Sequence, residues 1–111
     1  MQDEPQPFFA RRRSSDDRVV LELRGECDAS TLDELNEVLR QVLAEQPKEV
    51  VVDLARATFV DSLTLGSLTA AAMQVRASGG SFRVVRAAAP EVRRAFEITG
   101  LDKYLVVPRQ T

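Results

Sequence analysis

Asp61 and Ser62 are adjacent polar residues in an otherwise apolar stretch, VVVDLARATFVDSLTLGSLTAAAMQV. VVVDL reads as a buried strand, and LTAAAMQV is apolar at helical spacing. The pair therefore stands at a strand-to-helix corner. Three kinds of chemistry are open to it there. Either side chain can cap the helix, because the first turn has amide donors without intrahelical partners. A hydroxyl at an accessible corner can accept a phosphate, which adds about −1.5 to −2 charge where the helix dipole favours an anion. A serine can also be a nucleophile, but it then needs a base. The chain contains no histidine, and Lys48 and Lys103, its only lysines, are remote in sequence. Serine catalysis is therefore not expected.

Composition narrows the rest. With one cysteine and no histidine, a metal site is not expected, nor is any catalytic residue or cofactor. Net charge is −2, which is no electrostatic footprint for nucleic acid. The 111 residues are 44% hydrophobic, enough for one core. The N-terminal MQDEPQPFFARRR places acids and prolines where the apolar part of a secretion signal would lie, and no apolar run is long enough for membrane insertion. A cytoplasmic location is expected, and a lone Cys27 fits a reducing compartment.

Other residues have simpler readings. Cys27 falls where alternation turns a side chain inward, so it reads as a small buried thiol flanked by Glu26 and Asp28. Arg11-Arg12-Arg13-Ser14-Ser15 reads as an exposed edge and turn. Arg93 and Arg94 read as a solvated helix face.

These residues need elements to hold them. Residues 1–7 read as a flexible tail. Phe8 to Arg13 can form an edge strand, and Ser14 to Asp17 a turn. RVVLELRG alternates as a strand ended by Gly25. A loop comes next, with Thr31 and Glu34 spaced as a capping box. Leu32, Leu35, Leu39 and Val42 share one face of a first helix that Pro47 closes. Glu49 to Leu54 is a central strand, with ARAT as the next connection. A second helix spans about Leu63 to Ala77, with Leu65, Leu68, Ala72 and Val75 inward, and stops at Ser78-Gly79-Gly80. SFRVVRA is a strand. Pro90 opens a third helix with Val92 and Phe96 inward and Gly100-Leu101 as its cap. Tyr104 to Val107 is a last short strand. The fold expected is α/β, a small mixed sheet with helices packed mainly on one face.

GECDAST, VVVDLARATFVDSLTLGSL, SGGSFRVV and VRRAFEITGLDKYLVV, taken together and in order, resemble the STAS domain of anti-sigma factor antagonists over about residues 8–108. The resemblance implies a binding module and no enzyme. Its partner would be an anti-sigma factor that is also a serine kinase. Docking would release a sigma factor, phosphorylation of Ser62 would end the docking, and a phosphatase would reset it. Glu26, Asp28, Asp61, Ser62, Leu63 and Thr64 are the partner-binding residues the resemblance implies, with Thr64 a secondary phosphate acceptor. The family usually reads D-S-[ST]-G-L-G, whereas this chain reads D-S-L-T-L-G. Leu63 stands for a small hydroxyl residue and Thr64 for a glycine. The alternative reading is a constitutive, unphosphorylated STAS subunit of a lipid-transport ATPase or signalling scaffold.

Overall fold

The computed structural model describes residues 8–85, 87 and 89–100, with residues 8–15 described through their backbone. Strands β1 (Phe8–Ser15) and β2 (Arg18–Cys27) come first. A 3₁₀ turn (Ala29–Thr31), helix α1 (Leu32–Ala44), strand β3 (Glu49–Val60) and helix α2 (Ser62–Ala77) come next, then strand β4 (Ser81–Val85) and helix α3 (Pro90–Thr99). The sheet order is β1-β2-β3-β4. β1 and β2 form an antiparallel hairpin, while β2, β3 and β4 run parallel. Parallel neighbours need crossovers, and α1 and α2 supply them. The hairpin turn is Asp16-Asp17 alone, both at positive φ (48° and 67°), while Ser14 and Ser15 stay in β1. Two such residues match the right-handed twist of the strands they join.

One core lies on one sheet face. Val19, Leu21 and Leu23 of β2, Val50, Val52 and Leu54 of β3, and Phe82 and Val84 of β4 meet residues from all three helices there. Leu35, Leu39 and Val42 come from α1, Leu65, Leu68, Ala72 and Val75 from α2, and Val92 and Phe96 from α3. The mixed sheet with helices on one face is thus as the alternation and helical spacing indicate. On the opposite face Glu49 bridges Arg18 (3.2 Å) and Arg83 (2.7 Å), partly exposed pairs of small energetic value.

Besides the hairpin turn, three features differ from the sequence reading. Gly25 does not end β2. It adopts φ 71° and the strand continues to Cys27. ARAT is not a connection but part of β3. Between Glu22/Arg24 and Gly25/Glu26 the register shifts, each time placing one extra β3 residue opposite β2. These two bulges space the inward residues Leu54, Ala57 and Val60 by three, which hides them from a period-2 reading. Thr31 and Glu34 do not form the capping box, since the Thr31 side chain makes no cap bond to α1. The box lies one turn earlier, between Asp28 and Thr31.

Gly80 has a steric reason to be glycine. A Cβ there would lie 2.9 Å from Val75 Cγ1 and 3.0 Å from the Lys48 carbonyl, so β4 could not start against the β3 entry. Gly100 caps α3 in the left-handed conformation. Its contact through Leu101, the strand expected at Tyr104–Val107 and the tail at 1–7 lie outside the described residues.

Candidate functional site

β2 and β3 end side by side, with Glu26 paired to Phe59 and Cys27 to Val60. The chain leaves both strands at the carboxyl end of the sheet, where parallel α/β folds collect functional groups. Each exit begins with an aspartate that caps the next helical turn. The Asp61 N–H donates to the Cys27 carbonyl (3.1 Å), and the Asp61 carboxylate accepts the Thr64 N–H (2.8 Å). Asp61 is therefore the N-cap of α2. Asp28 caps the 3₁₀ turn. Its carboxylate accepts the Ser30 N–H (2.9 Å) and hydroxyl (2.6 Å), and its own N–H donates to Thr31 Oγ1 (3.0 Å). The Ser30 hydroxyl is the main cause of an Asp28 carboxyl held below its usual range.

Ser62 is the first residue of α2 and is exposed. Among the described residues its hydroxyl has no hydrogen-bond partner, because Asp61 has taken the cap. Leu63, the next residue, is 53% exposed. Glu26 is exposed, and Asp28 and Asp61 are half-buried. Five of the six residues that the pattern grouped thus meet at one corner.

Thr64 is the exception, and the expectation of a second phosphate acceptor there is corrected. It is 1% exposed, and its hydroxyl donates to the Cys27 carbonyl (3.0 Å). Its added side chain fills the interior below the corner, so it takes no space from a partner above. The Cys27 carbonyl accepts from both Asp61 N–H and Thr64 Oγ1, which uses its two lone pairs. That carbonyl joins the end of β2 to the start of α2.

Phe59 was missed. It is 42% exposed and flanks the inward Val60, and its outward direction was legible from that neighbour. Met73, 58% exposed on α2, was also missed.

The Cys27 thiol is fully buried and pushed up to about 12, by burial first and then by the Asp28 and Asp61 charges. The raised value means that the unfolded chain loses this proton first. Folding stability from this group is therefore intact below about pH 9 and falls as pH rises from there toward 12. We expect the wild type to lose roughly 1 kcal/mol more than Cys27→Ala between pH 8 and pH 10, read by urea denaturation at each pH. Identical pH profiles for the two proteins would contradict this placement of the thiol.

Among the described residues no group of three or more His, Cys, Asp or Glu side chains is placed to hold a metal ion. No helix among them is long and apolar enough to cross a membrane.

The family model described as Mlab, STAS domain, matches residues 10–108. The anti-sigma-F factor antagonist RsfB of Mycobacterium tuberculosis is 36% identical over 85 residues, 77% of this chain and 68% of that protein. The crystal structure of an anti-sigma factor antagonist from Mycobacterium paratuberculosis superposes with a TM-score of 0.84 at 30% identity, covering 97% of this chain and 92% of the other. SpoIIAA of Bacillus, in its unphosphorylated form, shares the fold at a TM-score of 0.75 and 19% identity, over 92% and 89% of the two chains. Its phosphorylated form does so at 0.68 and 18%, over 92% of each.

Proposed function

This chain belongs to the STAS domain family, and from that premise we propose that it is an anti-sigma factor antagonist switched at Ser62. In this reading it acts in the cytoplasm as a binding module. The unphosphorylated protein docks on an anti-sigma factor serine kinase through the corner formed by Glu26, Asp28, Asp61, Ser62 and Leu63, and the sigma factor is released. The kinase then transfers the γ-phosphoryl group of ATP to Ser62 Oγ, with loss of the hydroxyl proton and departure of ADP, and the complex dissociates. A phosphatase returns the serine.

The observation that carries this reading is the exposed Ser62 hydroxyl, which has no partner among the described residues and stands at the first position of α2 beside a neighbour that caps the helix itself. Physics then separates fold from complex. A phosphate at an exposed helix N-terminus is favourable by about 0.3–1 kcal/mol. The same dianion beside Asp61, covered by a partner and unpaired, is costly. The fold survives the modification and the interface does not.

A second reading, constitutive binding without phosphorylation, is favoured by one feature, the large apolar Leu63 beside the acceptor. Intact-mass measurement on protein isolated from its native cells, with fragmentation to place any added phosphate, separates the two. Phosphate on Ser62, absent from a Ser62→Ala strain, supports the switch. Unmodified protein across growth and stress conditions supports the constitutive subunit.

A further inference from the structure

The exposed half of α2 holds Leu63, Gly66, Ala70 and Met73, and the helix has no charged side chain before Arg76. A surface helix ordinarily turns charged residues to water. Here Leu63 is 53% and Met73 58% exposed. The caps Asp28 and Asp61 lie at the N-terminal end of this apolar strip.

Gly66 lies one turn beyond Leu63. A Cβ at this position would meet nothing within 4 Å. No contact within the described chain therefore requires glycine there, although glycine disfavours a helix relative to alanine. The missing side chain leaves bare helix backbone beside the protruding leucine.

We propose that Leu63, a knob set beside the notch at Gly66, selects which anti-sigma factor this chain binds, the glycine being shared with the family pattern and the leucine being the discriminating residue. The inference rests on the antagonist reading above. The partner it fits presents an apolar pocket for Leu63, cationic side chains matched to Asp28 and Asp61 with none left to pair an added anion on Ser62, and a backbone or small side chain seated over Gly66. Charge complementarity sets the rim, and apolar burial sets the centre. A partner with a polar contact suited to a small hydroxyl at position 63 is rejected, because the leucine leaves its polar group unpaired.

The test titrates each purified anti-sigma factor of the protein's own cell with the wild type, Leu63→Ser, Gly66→Ala and Ser62→Asp. Leu63→Ser is expected to bind about tenfold more weakly, as loss of a newly buried leucine face implies. Gly66→Ala is expected to bind more weakly as well, yet to melt about 4 °C higher, since alanine favours the helix. A variant that is more stable and binds less cannot be explained by misfolding. Wild-type binding that Ser62→Asp weakens, with Leu63→Ser and Gly66→Ala unchanged, overturns the knob and notch and leaves the antagonist reading standing. No binding of the wild type to any of these anti-sigma factors overturns both.

Discussion

Ser62→Asp is expected to weaken binding to the anti-sigma factor by about 30-fold or more while the isolated protein keeps its melting temperature to within a few degrees. The first half comes from placing a second anion next to Asp61 at a covered corner, where an unpaired charge costs about 2–5 kcal/mol. The second half comes from the position itself. Residue 62 is the first of α2, exposed, and next to a cap that the substitution leaves in place. An acid there favours the helix dipole. Titration calorimetry and thermal circular dichroism read the two halves separately. Ser62→Ala is the control and is expected to bind like the wild type, since the hydroxyl has no partner to lose among the described residues. Unchanged affinity for Ser62→Asp would place Ser62 outside the interface.

The second large effect concerns Thr64, where the family pattern has glycine. Thr64→Gly makes the sequence more like the family and is expected to destabilise this protein by about 2–3 kcal/mol. The hydrogen bond to the Cys27 carbonyl contributes about 1 kcal/mol and the buried methyl about 0.8 kcal/mol. The remainder comes from the empty space left at a site that is 1% exposed and from glycine in a helix. Thr64→Val keeps the shape and removes only the donor, so it is expected to cost about 1 kcal/mol. The Cys27 carbonyl still accepts from Asp61 in that variant. Denaturant melts of both variants check the order. A Thr64→Gly protein as stable as the wild type would mean that the threonine does not anchor α2 to the end of β2.

These two residues also show what sequence can carry. The helices were legible because their inward residues keep helical spacing, as Leu65, Leu68, Ala72 and Val75 do. The central strand was legible where it alternates or runs apolar, up to Leu54. Beyond Leu54 two bulges change the spacing of inward residues to three, and no fixed period describes that segment. The corner was found from residue types, an acid and a hydroxyl between strand and helix. Its inside and outside were not. Leu63 points out and Thr64 points in, against their hydrophobicity, because the first turn of α2 sits on the end of β2 and Thr64 finds a carbonyl there. Glu26 and Asp28 were grouped with Asp61 by resemblance. The register of β2 against β3 is what brings them to the same end of the sheet. The capping box expected at Thr31 for α1 lies instead at Asp28 on the 3₁₀ turn for a similar reason, since both residues fit the cap chemistry and only the backbone path decides.

The most direct measurement is release of sigma factor from a purified complex of sigma factor and anti-sigma kinase, with this protein added unmodified and, separately, phosphorylated on Ser62. The unmodified protein is predicted to displace the sigma factor and the phosphorylated protein to leave the complex intact. Equal release by both forms, or none by either, would contradict a switch at Ser62.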